Sequence, residues 1–201
     1  MTSAYDGSHV DGPAYTEVTG LAHRAPDWLD SLVSAWSAYG LALFALLMVV
    51  GWWRARRAGT STVVTALAVP LITLLAFGVD ALVKLAVRED RPCQTLRVPT
   101  LEACPAPGDW SFPSNHAALA AAAAVALLFV SRRLGAVALV AAVLMAASRV
   151  WVGVHYPHDV LAGFLVGACV AAGAAWAVRR HRTTLAGRLE RGPLRRLLAA
   201  A

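Results

Sequence analysis

The sequence predicts an all-α fold, a polytopic membrane helix bundle of about five transmembrane helices with an interfacial helix near its N-terminus. Three observations predict it. Hydrophobic residues make up 58% of the 201 positions and charged ones only 15%, with a mean hydropathy of +0.58, whereas about a quarter of a soluble domain is charged. The apolar residues fall in five runs close to the ~20 residues that a helix needs to cross ~30 Å of hydrocarbon. The arginines gather at the ends of those runs, where a span meets headgroups and water. That clustering also argues against a nucleic-acid partner as the meaning of the net charge of +6, since no basic, aromatic-studded soluble face is left to bind one.

Residues 1–30 form a polar N-terminal segment, expected to be disordered at first and then, over "AYTEVTGLAHRAPDWLD", to make a short helix on the membrane surface. The segment lacks the positive region and apolar core of a signal peptide, so insertion is expected to use the first membrane helix. Spans are expected at about 31–53, 62–87, 115–130, 134–152 and 159–178, the third rather short. Residues 31–178 are then the membrane-embedded domain and 179–201 a basic tail. No internal repeat is evident.

In a five-span chain "RARR" at 54–57, "SRR" at 131–133 and "RRHR" at 179–182 lie on one side, which the positive-inside rule makes cytoplasmic. The protein is therefore expected in the plasma membrane, with its C-terminus cytoplasmic and loops 88–112 and 153–158 facing outward. Arg88, Arg91 and Arg97 in the long outer loop run against the rule unless they have another task. Trp52, Trp53, Trp110 and Trp151 suit interfacial belts.

Three cysteines without a Cys-x-x-Cys pair exclude a cysteine-based metal framework. Cys93 and Cys104 share the long outer loop. Outside the cytoplasm a disulfide is expected there, contributing about 3 kcal/mol in the chain-entropy account and shaping the lid that holds Arg91. Cys169, inside the fifth span, is expected to be an inert packing residue.

Three polar clusters fall at the outer face although whole membrane passes separate them. "KLAVREDRP" carries Lys84 and Arg91; alone, the pair reads as a snorkelling lysine and an interfacial anchor. "SFPSNH" precedes the third span, with Ser114 placed as N-cap and the amides of Asn115 and His116 free to meet an anion. "SRVWVGVHYPHD" holds Arg149 inside an apolar span, at a cost of about 2.5–3.5 kcal/mol that marks it for function. His155 and Asp159 are four apart, so the carboxylate near a helix start reaches one imidazole nitrogen and aims the other outward. His158, adjacent to Asp159, lacks that relation and is read as an interfacial neighbour. Three cations, helix-start donors, two histidines and an aspartate suit a phosphoryl group, whose charge they can hold without a metal.

At these residues the chain resembles the type 2 phosphatidic acid phosphatases, the superfamily that includes the vanadium haloperoxidases. Its motifs are Lys-x6-Arg-Pro, Pro-Ser-Gly-His and Ser-Arg-x5-His-x3-Asp, here "KLAVREDRP", "PSNH" and "SRVWVGVHYPHD". The resemblance covers about residues 31–178. Asn115 stands where the family most often has glycine, and with "SFPS" and "SRVWVGVHYPHDVLAG" it is similar to the bacterial undecaprenyl-diphosphate phosphatases of the bacitracin-resistance type.

The resemblance implies roles. His155 attacks phosphorus to form a phosphohistidine, Asp159 fixes its tautomer, and His116 protonates the leaving oxygen and then activates water. Lys84, Arg91, Ser114 and Arg149 hold the phosphoryl oxygens, helped by the Asn115 and His116 amides. No cofactor and no metal are implied, and the partners are a membrane lipid phosphate and the bilayer. Hydrolysis of phosphatidate, phosphatidylglycerol phosphate or another lipid phosphate is the alternative. A non-enzymatic transport or assembly protein is the reading of another class, disfavoured because every motif position expected for catalysis is present.

Overall fold

The computed structural model describes residues 4–191, and among them it holds eight helices and no strand beyond one bridge between Tyr5 and Glu89. Three helices are long and apolar enough to cross a membrane: α4 (Thr60–Val87), α7 (Arg132–Trp151) and α8 (Pro157–Glu190). The pair α2 (Asp27–Tyr39) and α3 (Leu41–Ala55) is together long and apolar enough for a fourth, and it is bent by 54° at Gly40 where one straight first span was expected.

The remaining apolar run is α6 (Asn115–Leu128), only 14 residues and about 21 Å long at 1.5 Å per residue. It is the third and rather short run that was expected, and it passes through the middle of the bundle. Its alanines at 117, 118, 120–124 and 126 are all buried, so the helix is walled off from lipid by α3, α4, α7 and α8 and need not match the bilayer's thickness. Small residues make that burial close-packed. A Cβ at Gly163 of α8 would lie 2.4 Å from Ser114 O, and one at Gly167 would lie 2.2 Å from Ala118 O, so α8 rests directly on the backbone of α6.

The N-terminal segment is helical over more of its length than expected. Helix α1 (Ser8–Ala22) begins early, and "AYTEVTGLAHRAPDWLD" is split between α1 and α2 at Pro26, which lacks an amide donor and disfavours helix in the residue before it. Tyr15, Thr19 and Ala22 are buried as α1 packs on α7 and α8, and the Tyr15 hydroxyl donates to Gly153 O at 2.9 Å. Ahead of it, Tyr5 pairs with the chain after α4: Tyr5 N donates to Arg88 O at 3.0 Å and Asp90 N to Tyr5 O at 2.9 Å.

At the opposite end of the bundle, Arg54 and Ser131 line one small cavity, so the arginine-rich ends of α3 and the start of α7 meet there as the charge pattern requires. Helix α8 does not stop near Val178 but continues to Glu190, taking "RRHR" into its last turns. The rest of the expected tail, 192–201, lies outside the described residues. Cys169 is exposed on α8 rather than packed, because its face of the helix points away from α6. Cys93 and Cys104 are bonded, with Cα atoms 5.9 Å apart, and close the loop around the one-turn helix α5 (Pro92–Thr95).

Candidate active site

The end of α4, the start of α6, the end of α7 and the start of α8 converge at one end of the bundle. Arg88, in the left-handed region at φ 55°, ends α4 and turns the chain back, so that Glu89 and Arg91 lie over the helix ends. Between α7 and α8 a short turn, residues 152–156, carries His155. Gly153 sits in it at φ 86°, and a Cβ there would lie 2.5 Å from Thr100 Cγ2, so the loop 88–112 presses directly on the turn.

His155 is 2% exposed and held at both ring nitrogens. Nδ1 lies 3.3 Å from Asp159 Oδ2 and 3.3 Å from Ser111 Oγ, while Nε2 lies 3.1 Å from Arg91 Nη1. A guanidinium only donates, so the Arg91 contact makes Nε2 the acceptor and leaves the ring proton on Nδ1, toward the carboxylate. Burial, followed by the charges of Arg91, Lys84 and Arg149, holds the imidazole well below its ordinary pKa. A neutral ring with its lone pair on Nε2 is the form a nucleophile needs. Asp159 is fully buried and fixed in turn: Oδ2 accepts from Ser111 Oγ and from Tyr156 N at 2.8 Å.

The predicted cations come together, with tasks beyond the expected one. Lys84 Nζ donates to Trp110 O at 2.7 Å and Ser111 O at 3.1 Å, bracing the loop 88–112. Arg91 bonds Asp109 O at 2.9 Å and Asp109 Oδ1 at 3.0 Å on one side, and Val154 O at 3.0 Å beside His155 on the other. Arg149 is buried against Ser37 of α2 and Glu102 of the loop 88–112. His116 stands within electrostatic reach of Arg149, Glu102, Arg91 and Lys84, and of His155 itself.

Ser114 occupies the N-cap position of α6, but its hydroxyl makes no capping bond; it is buried and meets no partner among the described residues. Its amide instead donates to Asp159 O at 3.0 Å, tying the two helix starts together. Ala118 N is bonded to Ser114 O at 3.0 Å, which leaves the amides of 115–117 as the ones a helix start presents to an anion.

His158 is more than an interfacial neighbour. Its Nδ1 lies 2.7 Å from Asp11 Oδ1, its Nε2 3.0 Å from Glu89 Oε1, and its ring stacks on Tyr156 at 5.4 Å, so it clamps α1 over the site. Glu89, His158 and Asp159 offer ligand atoms within 4.8 Å of one another, a grouping that could hold a cation. Both His158 nitrogens face carboxylates, which only accept, so both are used as donors rather than as ligating lone pairs.

Sequence reasoning missed Ser111, Glu89, Glu102, Ser37 and Asp80. Ser111 lay within a motif already singled out, and Asp80, fully buried one turn before Lys84, was visible as an acid inside an apolar run. Glu102 and Ser37 had no local signal.

The PAP2 superfamily profile matches residues 65–183. The chain is 31% identical over 152 residues to the undecaprenyl-diphosphatase BcrC of Bacillus subtilis, covering 76% of each chain. It is 32% identical over 149 residues to an undecaprenyl-diphosphatase of Sulfolobus acidocaldarius, covering 71% of this chain and 68% of that one. Among solved structures it shares the fold of Aquifex aeolicus LpxE, with a TM-score of 0.58 at 24% identity over 82% of this chain and 94% of the other. The stretch from 65 to 183 takes in Lys84, Arg91, His116, Arg149, His155 and Asp159 without a break, and by that match the chain belongs to the PAP2 superfamily.

Proposed function

We propose that this membrane protein hydrolyses a polyprenyl diphosphate, undecaprenyl diphosphate in the first place, to the lipid monophosphate and phosphate. The observation that carries the reading is His155, neutral and buried, with Nδ1 on Asp159 and Nε2 turned toward the guanidinium of Arg91. Arg91 would shift from Nε2 to a phosphoryl oxygen as substrate enters. Nε2 then attacks phosphorus, the bond to the leaving oxygen breaks, and His116 supplies the proton that oxygen takes up. Water, giving a proton back to His116, attacks the phosphohistidine and releases phosphate. Lys84, Arg91, Arg149, the Ser114 hydroxyl and the Asn115 and His116 amides balance the charge on the transferring group, so no metal step is required.

A lipid substrate is supported by an apolar groove of about 350 Å³ between α2 and α7, lined by Leu32, Val33, Trp36, Leu144, Ala147, Ser148 and Trp151. Trp36 and Ser148, which line it, are the chain neighbours of Ser37 and Arg149, the latter proposed above to meet the phosphoryl group. The prenyl chain would lie in it, with its headgroup at the outer face of the plasma membrane. Filling the groove with Ala147→Phe is expected to raise KM for undecaprenyl diphosphate by about tenfold or more, while a short water-soluble phosphate ester is hydrolysed as before. Equal effects on both substrates would remove the chain from this groove.

The deciding measurement is the substrate profile of the purified protein with and without a chelator. Undecaprenyl diphosphate is expected to be preferred over phosphatidate, with the same rate in the presence of EDTA. A marked preference for phosphatidate would overturn the substrate assignment, and loss of activity on chelation would overturn the metal-free mechanism.

A further inference from the structure

Arg149 is a buried cation, 7% exposed, and among the described residues Glu102 is the acid it bonds. Its Nη1 donates to Glu102 Oε2 at 3.1 Å and Oε1 at 3.3 Å, and to Ser37 Oγ, while the Ser37 hydroxyl donates to Glu102 Oε1 at 2.5 Å. Among the described residues every hydrogen bond of this guanidinium falls on Nη1, and Nε is buried without a partner. A guanidinium is a rigid planar fork, so holding one Nη sets the direction of the opposite edge. The Nε and Nη2 edge is the kind that meets two phosphoryl oxygens at once.

We propose that Glu102 is a positioning residue: with Ser37 it grips Arg149 by Nη1 and so presents the Nε and Nη2 edge to the transferring phosphoryl group. The proposal rests on the phosphatase reading above and adds to it a residue outside all three motifs. The backbone that carries Glu102 is tied to the helix end that carries Arg149, since the amides of Leu101 and Glu102 donate to Val152 O at 3.2 and 3.3 Å. Thr100 Oγ1 donates to Glu102 O at 2.6 Å, and two residues on, Cys104 closes the loop to Cys93. A chance ion pair on a solvated loop would have none of these ties, and a pair of that kind is worth little. Here the acid also neutralises a cation whose burial in a span is costly without a partner.

The test is a double-mutant cycle in the purified full-length protein, with undecaprenyl diphosphate as substrate and vanadate as the mimic of the transferring phosphoryl group. Glu102→Ala is expected to lower kcat by about 10- to 100-fold, the range seen when support behind a site residue is lost, with KM changed only a few-fold and vanadate inhibition weakened in step with kcat. Glu102→Gln, which keeps an acceptor oxygen for Ser37 and Arg149, is expected to recover most of that loss. The double variant with Arg149→Ala is expected to be no slower than Arg149→Ala alone, because Glu102 acts through Arg149. Additive losses would overturn the proposal, leaving Glu102 an independent structural role. A Glu102→Ala rate at or above wild type would overturn it too, since the carboxylate would then be competing with the phosphoryl group. If the wild-type protein hydrolyses no lipid phosphate, the phosphatase reading fails; vanadate affinity, measured by protection against thermal unfolding, then decides, and an unchanged affinity in Glu102→Ala overturns the positioning role.

Discussion

Phosphate release by His155→Ala is expected to fall by about four orders of magnitude or more, as when a nucleophile is removed from a site whose parts act as a unit. The variant keeps the fold, because His155 is held by side-chain contacts while the turn around it is built from backbone bonds, Val154 N to Arg149 O at 3.3 Å among them. Rapid quenching of wild-type turnover with labelled lipid diphosphate should trap an acid-labile phosphoprotein that the variant does not form. Retained phosphate release in His155→Ala would reject covalent catalysis at this residue. Inert phosphoprotein on another histidine would move the nucleophile.

The second large effect is expected from Asp159→Asn, which should lower kcat by about 10²- to 10⁴-fold while leaving substrate affinity nearly unchanged. Asp159 Oδ2 accepts from Tyr156 N at 2.8 Å and from Ser111 Oγ, and faces His155 Nδ1 at 3.3 Å. An amide in its place carries no charge to support the imidazolium that forms on attack, and its NH2 can push the ring into the wrong tautomer. The backbone carbonyl of residue 159 still receives Ser114 N, so the junction of α6 and α8 survives. Steady-state kinetics separates the cases: a rise in KM with kcat intact would make Asp159 a binding residue and not an orienter of His155.

Much of this site was legible because its demands are local. A carboxylate four residues after a histidine at a helix start reaches its ring, and Arg149 stands out as a charge in an apolar run. Lys84 was also visible, but the groups it meets were not. The lysine braces Trp110 and Ser111 carbonyls, a task set by where the outer loop passes. His158 was set aside because Asp159, its neighbour in the chain, is not one helical turn away, and the fold supplied two other acids, Asp11 from 147 positions away and Glu89 from 69.

The surroundings of the third apolar run were likewise not legible. Hydropathy measures how apolar a run is, and α6 is as apolar as its neighbours, but whether lipid or protein covers it depends on α3, α4, α7 and α8. The sequence by itself determined that the chain is a helical membrane protein, where the polar groups interrupt it, and which histidine has an aspartate one turn on. Only the tertiary structure decided which remote acid meets each buried charge: Glu102 for Arg149, Asp109 for Arg91, and Asp11 with Glu89 for His158. The reason is physical. Burying a charge makes a partner necessary, but the packing of helices distant in sequence chooses which partner arrives.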